Sequence, residues 1–333
     1  MNRTIDWDGG AVVIIDQTLL PGEEKLLTLR EVGELAEAIR SLRVRGAPAL
    51  GVAGALGIAM AVRRAQERGT DIKAAAAEAA RELAATRPTA VNLRWGIDRA
   101  CGAVGSGADA VVERAVALLE ADVSTNRAIA ERGSAWVESL GSARGRRLRI
   151  LTHCNSGALA CVEIGTALGV IQLAHARGAV DEVLATETRP LLQGSRLTAW
   201  ELLRLGIPFR LVADSAAPSL IARGYVDVVM VGADRIAANG DVANKIGTYA
   251  LALAARRAEI PFAVVAPEST RDLQAASGRQ ISIEERPEDE VLGFGDVRVA
   301  PIGAHALNPA FDVTPTDLIT AIITEDRIIA SGG

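Results

Sequence analysis

Apolar and polar positions follow two different rhythms along the chain, and the change comes near residue 140. Before it, the spacing is typical of helices, apart from one strand-length apolar run at residues 12–15. A capping-box signature that begins at Thr28 predicts a helix ending near residue 42, and Pro48 suits the first turn of the next one. Further helices are predicted at residues 72–85 and about 109–140.

Mainly apolar runs of strand length alternate with helical patterns in the second part. The predicted strands are residues 148–151, 182–185, 209–212, 226–231 and 262–266. Helices are predicted at residues 165–176, 195–205, 217–222 and 243–254. This alternation indicates βαβ units, and runs that are apolar at every position fit parallel strands buried on both faces. Residues 141–145 are expected to form a linker, which gives a mostly helical domain at 1–140 and a doubly wound α/β domain at 141–333.

Composition narrows the class of protein. A length of 333 residues suggests about two domains, and a net charge of −5 without a basic block argues against a nucleic-acid binder. The first residues lack the apolar stretch of a signal peptide, and the longest uncharged run, residues 46–62, falls short of a membrane span. Three cysteines are too few for a disulfide framework. We therefore expect a cytoplasmic protein with no nucleic-acid or membrane partner.

The glycines of the helix predicted after Pro48 recur every three residues, at Gly51, Gly54 and Gly57. Such a stripe indicates a buried helix that another backbone approaches closely.

Polar and reactive residues follow each predicted strand of the second part. Ligands of open α/β sheets bind beyond the carboxyl ends of the strands, so these residues define the expected site. The segments after the five strands begin at Thr152, Thr186, Asp214, Gly232 and Pro267.

Cys154 follows the first of these strands. A thiol near the start of a helix has a stabilised thiolate, but a buried cysteine is as often a small apolar core residue, and position alone leaves both interpretations open. His153 is expected to point to the opposite face of the strand and to be structural. Cys161 is expected in the core.

Asp234 and Lys245 flank the turn after the most hydrophobic strand. An acid in an apolar setting tends to stay protonated, which suits a proton donor. The alternatives are an ion pair with Arg235 or a helix N-cap. Lys245, one of three lysines, lies close to a predicted helix start whose N–H groups could help bind an anion, whereas the alternative is a solvated surface lysine.

Two arginines of the first part stand at helix ends. Arg45 precedes Gly46 and the helix after Pro48, an arrangement that suits phosphate, and Arg87 follows a predicted helix. Each is a weak signal, since loop arginines are usually solvated.

The chain has neither a dinucleotide-binding nor an ATP-binding fingerprint, and its three histidines do not have the spacing of metal ligands. The residues alone thus allow an enzyme that uses a thiol, an acid and a phosphate-binding group, with no cofactor or metal expected, and they do not identify its substrate.

Longer motifs identify a resemblance that covers essentially the whole chain. The segments at residues 45–49, 87–93, 152–155, 187–196, 232–249 and 308–315 are similar to those of the S-methyl-5-thioribose-1-phosphate isomerase family of methionine salvage. This resemblance implies a helical N-terminal domain, a Rossmann-like parallel-sheet C-terminal domain and a homodimer. It also implies isomerisation of a small phosphosugar, an aldose 1-phosphate, to the ketose 1-phosphate.

Residue roles carry over by motif. The resemblance makes Asp234 the catalytic acid and Cys154 a base or a stabiliser of the transition state. The substrate-binding residues that it implies are Arg45, Gly46, Ala47, Arg87, Gln193, Asn244 and Lys245. The alternative functions are an isomerase of 5-deoxyribose 1-phosphate or ribose 1,5-bisphosphate, and a non-catalytic scaffold. The last follows from a similar fold in the regulatory subunits of the exchange factor for translation initiation factor 2.

Overall fold

The structure is a computed structural model that describes residues 3–295 and 297–330. The chain forms two compact units. Unit 1 consists of the residues up to Ala128 together with Ser156–Gly169. Unit 2 consists of Ile129–Asn155 together with the residues from Val170 onward.

Unit 1 combines a small antiparallel sheet, in the order β1-β2-β3, with a group of helices. Its elements are β1 (Ile5–Asp8), β2 (Ala11–Ile15), β3 (Leu26–Leu29), α1 (Val32–Arg40), α2 (Ala47–Arg68), α3 (Ile72–Thr86), α4 (Val91–Cys101) and the first part of α5 (Ala108–Arg144). The mainly helical character predicted for this part of the chain is confirmed.

Helix α2 is buried along most of its length, and its glycines permit close packing as predicted. A Cβ on Gly54 would lie 2.7 Å from the Leu93 oxygen of α4, and a Cβ on Gly96 of α4 would lie 1.8 Å from the Gly51 oxygen. The two helices therefore meet backbone to backbone, which larger side chains would prevent.

Two local predictions were wrong. The capping box of α1 is formed by Glu31 and Glu34, three residues later than expected, because Thr28 pairs with Val13 in the β-sheet. Of the linker expected at 141–145, residues 141–144 form the last turn of α5, and the helix stops only before Gly145, whose φ is +66°.

Unit 2 is an α/β assembly. After the second part of α5, its helices and strands are β4 (Leu148–Thr152), α6 (Ala167–Ala176, which begins in unit 1), β5 (Val180–Thr186), α7 (Ala199–Arg204), β6 (Phe209–Val212), α8 (Ala217–Ala222), β7 (Val228–Val231), β8 (Arg235–Ala237), β9 (Val242–Lys245), α9 (Thr248–Arg257), β10 (Phe262–Val265), β11 (Arg271–Asp272), α10 (Asp289–Leu292), β12 (Gly293–Phe294), β13 (Val297–Arg298), β14 (Phe311–Thr314), β15 (Ala321–Ile323) and β16 (Ile328–Ala330).

The main sheet has the order β16-β15-β10-β7-β4-β5-β6, with every pair parallel except β15–β16. From β4 the chain proceeds to one edge of the sheet through β5 and β6, returns to β7 on the other side of β4, and continues through β10 and β15. The direction of winding thus reverses between β4 and β7. All residues of β7 and β10 are buried, as the continuous apolar runs predicted. The predicted doubly wound, Rossmann-like parallel sheet is confirmed.

A second sheet of order β11-β8-β9-β14 contains the segment that follows β7. The start of the helix predicted at 243–254 was wrong, and α9 begins only at Thr248. The residues before it form β9, which pairs with β8 on one side and with β14 on the other. In the described part of the chain, none of the helices has the length and apolarity needed to cross a membrane.

Candidate active site

Cys154 and Asp234 follow the two neighbouring strands at which the winding of the main sheet reverses. Strand β4 ends at Thr152 and β7 ends at Val231, and the two strands are paired in parallel. Loops that leave such strands diverge to opposite faces and open a crevice, where ligands of this fold class bind. The sequence predicted that both residues follow the carboxyl ends of strands in one parallel sheet. In the structure Cys154 follows the end of β4 and Asp234 follows the end of β7.

The backbone of Cys154 has a φ of +64°, which side-chain-bearing residues adopt at a cost of roughly 1–2 kcal/mol. Two threonines hold it there. The Cys154 N–H donates to Thr188 Oγ1 at 3.0 Å, and Thr198 Oγ1 donates to the Cys154 carbonyl at 2.6 Å. Thr188 itself has a φ of +65°. Strain of this kind concentrates at functional sites, where the surrounding structure enforces it.

The residues that directly follow Cys154, all of them described, do not form an α-helix. The chain forms a three-residue 3₁₀ turn at Ala158–Ala160, and the helix predicted at 165–176 begins at Ala167. Stabilisation of the thiolate by a helix start, one of the two interpretations left open for Cys154, therefore has no adjacent α-helix to supply it. Cys161 is fully buried, in agreement with its predicted place in the core.

His153 is buried and connects the Cys154 segment with the Lys245 segment. Its Nε2 lies 2.8 Å from the Ile246 carbonyl oxygen, so Nε2 carries the proton. Its Nδ1 then accepts from Thr186 Oγ1 at 2.6 Å, and Thr186 Oγ1 lies 3.2 Å from Thr188 Oγ1. Burial lowers the pKa of His153, which favours this neutral form. Because both ring nitrogens bind groups other than the Cys154 thiol, the structural role predicted for His153 fits.

Asp234 is half-buried at the open end of the β8–β9 hairpin. Its N–H donates to the Ala243 carbonyl at 3.0 Å, which brings Asp234 beside Asn244. A strand follows Asp234, so it is not the helix N-cap considered as an alternative. The Arg235 guanidinium lies 3.6 Å from the Asp272 carboxylate.

Asn244 and Lys245 are both buried, which contradicts a solvated surface lysine. The Lys245 ammonium lies 5.1 Å from the centre of the Phe311 ring, and Asn244 Nδ2 donates to Thr248 Oγ1 at 3.0 Å. Both side chains are therefore held in place by the strand pairing and by their neighbours.

The start of α9 is already occupied by a carboxylate of the chain. Asp312 Oδ2 accepts from the Gly247 N–H at 2.7 Å, and Oδ1 accepts from the Tyr249 N–H at 3.1 Å. Burial raises the pKa of Asp312 to about 6. The N–H groups at this helix start were expected to help bind an anion. This expectation was wrong for the Gly247 and Tyr249 N–H groups, because both already donate to Asp312.

Gln193 is buried, and its Oε1 has no hydrogen-bond partner among the residues that the structure describes. A buried carbonyl oxygen without a partner is costly and suits a site that a polar ligand completes. The next residue, Gly194, begins a short π-helix at Gly194–Thr198. A Cβ on Gly194 would lie 1.6 Å from the Thr186 oxygen, so only glycine allows this turn to pack against the end of β5.

The remaining predicted residues lie in unit 1. Arg45 is 8% exposed, not solvated, and its Nε donates to Gln17 Oε1 at 3.1 Å. Gly46 has a φ of +99° and caps α2, whose first residue is Ala47. Arg87, half-buried, ends α3 as predicted.

A protein-family comparison assigns the chain. The model of the Initiation factor 2 subunit family matches residues 43–330. The chain belongs to this family.

Relatives in this family include named enzymes. The chain is 52% identical over 98% of its length to a probable bifunctional methylthioribose-1-phosphate isomerase/methylthioribulose-1-phosphate dehydratase from Nocardia farcinica, of which it spans 59%. It is 50% identical over 99% of its length, and 91% of the relative, to the methylthioribose-1-phosphate isomerase of Pelotomaculum thermopropionicum. It is 49% identical over 98% of its length, and 93% of the relative, to the 5-deoxyribose 1-phosphate isomerase of Moorella thermoacetica.

Two solved structures of the family share the fold. The 5-methylthioribose 1-phosphate isomerase of Pyrococcus horikoshii has a TM-score of 0.89 and 40% identity, over 99% of this chain and 93% of its own. A protein described as the delta subunit of translation initiation factor eIF-2B from A. fulgidus has a TM-score of 0.85 and 44% identity, over 99% of this chain and 96% of its own.

Within unit 2 the structure brings Asp234, Asn244 and Lys245 together on one hairpin. His153 joins that hairpin to the Cys154 segment. Arg45, Gly46 and Ala47 form the start of α2 in unit 1, and Arg87 stands at the end of α3.

Sequence reasoning assigned no role to the residues that hold the predicted side chains in place within each unit, namely Gln17 in unit 1 and Thr186, Thr188, Thr198 and Asp312 in unit 2. Thr188 and Asp312 lie inside the motifs that carry the family resemblance, which is the signal that could have drawn attention to them. The contacts that Gln17 and Thr198 make are visible only in the folded chain.

Proposed function

We propose that this protein converts S-methyl-5-thio-α-D-ribose 1-phosphate to S-methyl-5-thio-D-ribulose 1-phosphate, a reaction of methionine salvage. The observation that carries the proposal is the placement of Cys154 and Asp234 after β4 and β7, at the reversal of the main sheet. Identity of about half with named isomerases, over nearly the whole chain, supports it.

The chemistry requires an acid. Phosphate on O1 blocks the free aldehyde, so the ring must open while C1 still carries the phosphate. We assign Asp234 as the protonated donor to the ring oxygen as the C1–O4 bond breaks. All four residues of β7 are buried, and this apolar strand leads directly to Asp234. The proton that Asp234 gives up returns from the C2 hydroxyl as the ketone forms, which regenerates the acid.

Hydrogen then moves from C2 to C1, and Cys154 has two candidate roles. As a thiolate base it takes a proton from C2, and a cis-enediol phosphate forms. The resulting thiol, after exchange with solvent, then gives a proton to C1, which restores the thiolate as the C2 hydroxyl loses its proton and the ketone forms. Alternatively, a hydride shifts directly and Cys154 stabilises the developing charge. Isomerisation in deuterium oxide separates them, because the base mechanism predicts solvent deuterium at C1 of the product, whereas a hydride shift retains the substrate hydrogen.

The other predicted residues would bind the substrate. We assign Arg45, the neighbouring amides of Gly46 and Ala47, and Lys245 to the phosphate group. Gln193 and Asn244 would bind sugar hydroxyls, and the unpartnered Oε1 of Gln193 supports its share of this role. Arg87 would provide a further cationic contact.

A second candidate substrate is 5-deoxyribose 1-phosphate. It differs from methylthioribose 1-phosphate only at the apolar 5-position, and the Moorella relative carries that name. Ribose 1,5-bisphosphate would need a second cationic pocket, for which the sequence offers no motif. A regulatory scaffold would need neither the Cys154 thiol nor the Asp234 carboxyl.

We also propose that the protein acts as a homodimer in the cytoplasm, as the family resemblance implies. Apolar side chains are exposed at Phe294, Val297, Val299, Ile302 and Leu307, and such a group suits an interface between copies. Sedimentation of the purified protein tests the dimer directly.

The deciding experiment is a turnover assay of the purified protein, with methylthioribose 1-phosphate and 5-deoxyribose 1-phosphate side by side. Faster turnover of the first supports the salvage isomerase, and faster turnover of the second supports the alternative. No turnover of either by folded protein would overturn the proposed reaction and favour a different phosphosugar substrate or the scaffold.

A further inference from the structure

Gln17 lies just after β2, and its side chain is 1% exposed. Its Oε1 accepts a hydrogen bond from Arg45 Nε at 3.1 Å, and its Nε2 donates to the Leu159 carbonyl at 2.8 Å. The orientation of the carboxamide is unambiguous, because Arg Nε only donates and a carbonyl oxygen only accepts. The Gln17 N–H also donates to the Arg43 carbonyl at 3.0 Å, which fixes the backbone of Gln17 beside the loop that carries Arg45.

Leu159 belongs to the segment that continues from Cys154 into unit 1. Other residues anchor this segment independently of Gln17. Thr4 Oγ1 donates to the Ala158 carbonyl at 2.8 Å, and the Val162 N–H donates to Asp122 Oδ2 at 3.0 Å. The Gln17 contact differs from these two contacts because its carboxamide joins this segment to Arg45.

A guanidinium is planar, so a partner at Nε sets the plane and with it the direction of the terminal N–H groups. A second constraint comes from Gly46, the next residue. A Cβ there would lie 2.5 Å from Ala160 Cα, so the backbone that carries Arg45 is packed directly against the same segment. Arg45 is thus held at its backbone and at its Nε by groups that touch residues 158–162.

We propose that Gln17 is a positioning residue that fixes the Arg45 guanidinium for binding the substrate phosphate and couples it to the segment following Cys154. This inference rests on the proposed function, which assigns Arg45 to the phosphate. Gln17 acts through Arg45 and does not itself touch the substrate.

The test compares Gln17→Met, which keeps the shape of the side chain without its hydrogen bonds, with Thr4→Val as the matched control. Thr4 is equally buried and also donates to residues 158–162, but its contacts there are with Ala158 and Val162. We expect Gln17→Met to weaken inorganic phosphate binding about tenfold by calorimetry and to raise KM more than it lowers kcat. Thr4→Val should lower Tm and leave phosphate affinity within about twofold.

A double-mutant cycle with Arg45→Lys shows whether Gln17 acts through the guanidinium. In the Arg45→Lys background, Gln17→Met should change phosphate affinity by less than about twofold. Full additivity of the two substitutions, or an equal loss of phosphate affinity in Thr4→Val, would overturn the proposal. Should Gln17→Met fail to fold, Gln17→Asn, whose shorter side chain cannot reach both partners, replaces it.

The outcomes separate this inference from the proposed function. If the wild type turns over neither sugar phosphate but Gln17→Met still weakens phosphate about tenfold, the inference stands and the proposed function fails. If the wild type is active and Gln17→Met binds phosphate normally, only the inference fails. Unchanged phosphate affinity in Arg45→Lys refutes the role of Arg45, and the inference about Gln17 fails with it.

Discussion

Thr188 supports Cys154 through a single hydroxyl that is completely buried. Its Oγ1 accepts the Cys154 N–H, and a buried N–H without a partner costs roughly 1–3 kcal/mol. We therefore expect Thr188→Val to lower the unfolding free energy by about 1–2 kcal/mol and kcat about tenfold, because Cys154 can relax from its positive φ.

The matched control for Thr188 is Thr270→Val. Thr270 is 1% exposed, and within residues 3–295 and 297–330 its Oγ1 has no hydrogen-bond partner. Valine at this position should therefore leave stability within ~0.5 kcal/mol and kcat unchanged. Urea unfolding and steady-state kinetics give both readouts. Equal effects of the two substitutions would mean that the Thr188 hydroxyl does not hold Cys154.

Asp234→Asn tests the assigned proton donor. The amide has nearly the shape of the carboxyl, and the backbone bond from the Asp234 N–H to Ala243 is unaffected. We expect kcat to fall by roughly 10²–10⁴, because the ring oxygen loses its acid, while phosphosugar binding stays within about threefold. Calorimetry with the substrate and a turnover assay separate these effects. A parallel loss of binding and Tm would instead make Asp234 a structural residue.

At the scale of elements, the site depends on the π-helix that begins at Gly194. An added Cβ would overlap the Thr186 oxygen, so Gly194→Ala must displace either the turn or the end of β5. Both carry site residues, since Gln193 precedes the turn and Thr186 binds His153. We expect a loss of about 2–3 kcal/mol in stability and a large loss of activity. Gly105→Ala, where a Cβ meets open space, is the control and should be neutral.

The elements differ in how far the sequence determines them. Strands β7 and β10 were found within two residues because every position is apolar, a pattern that two-sided burial imposes. Strand β9 was mistaken for helix because its Val-Ala-Asn-Lys sequence is short and its strand state comes from pairing with β8 and β14.

In the candidate site, too, some features could be predicted from the sequence and others depend on contacts in the folded chain. The side chains of Cys154, Asp234 and Arg45 suggested a thiol, an acid and a phosphate-binding group. Their positions after strands or before a helix followed from the pattern of apolar runs. Their supports did not follow, because a hydrogen bond such as that from Arg45 to Gln17 joins residues whose pairing only the folded chain reveals. The positive φ of Cys154 was likewise invisible in the sequence.

At the scale of the whole molecule, the chain passes between its two units more than once, and one passage follows Asn155 directly. Residues 156–169 then belong to unit 1, where the Val162 N–H donates to the Asp122 carboxyl. Burial raises the pKa of Asp122 to about 7, so this anchor holds a proton over a range in which an unfolded chain would release it.

The sign of the resulting pH dependence follows from proton binding. Between about pH 4 and pH 7 the folded state keeps the Asp122 proton and the unfolded state does not, so stability falls as pH rises and the loss is complete above about 7. Asp312, with a pKa of about 6, acts in the same direction. His153, whose pKa is lowered, acts oppositely, because its contribution is lost as pH falls below about 6.5.

Asp122→Asn isolates one of these contributions. The amide oxygen still accepts the Val162 N–H, but the position no longer titrates. We expect the unfolding free energy of the variant, relative to that of the wild type, to rise by about 2–3 kcal/mol between pH 5 and pH 8, measured by urea unfolding. Asp8→Asn, at an exposed position, should shift stability by less than ~0.5 kcal/mol at either pH. A pH-independent difference between Asp122→Asn and wild type would show that Asp122 ionises equally in both states, and the segment after Cys154 would then be anchored by a carboxylate rather than a carboxylic acid.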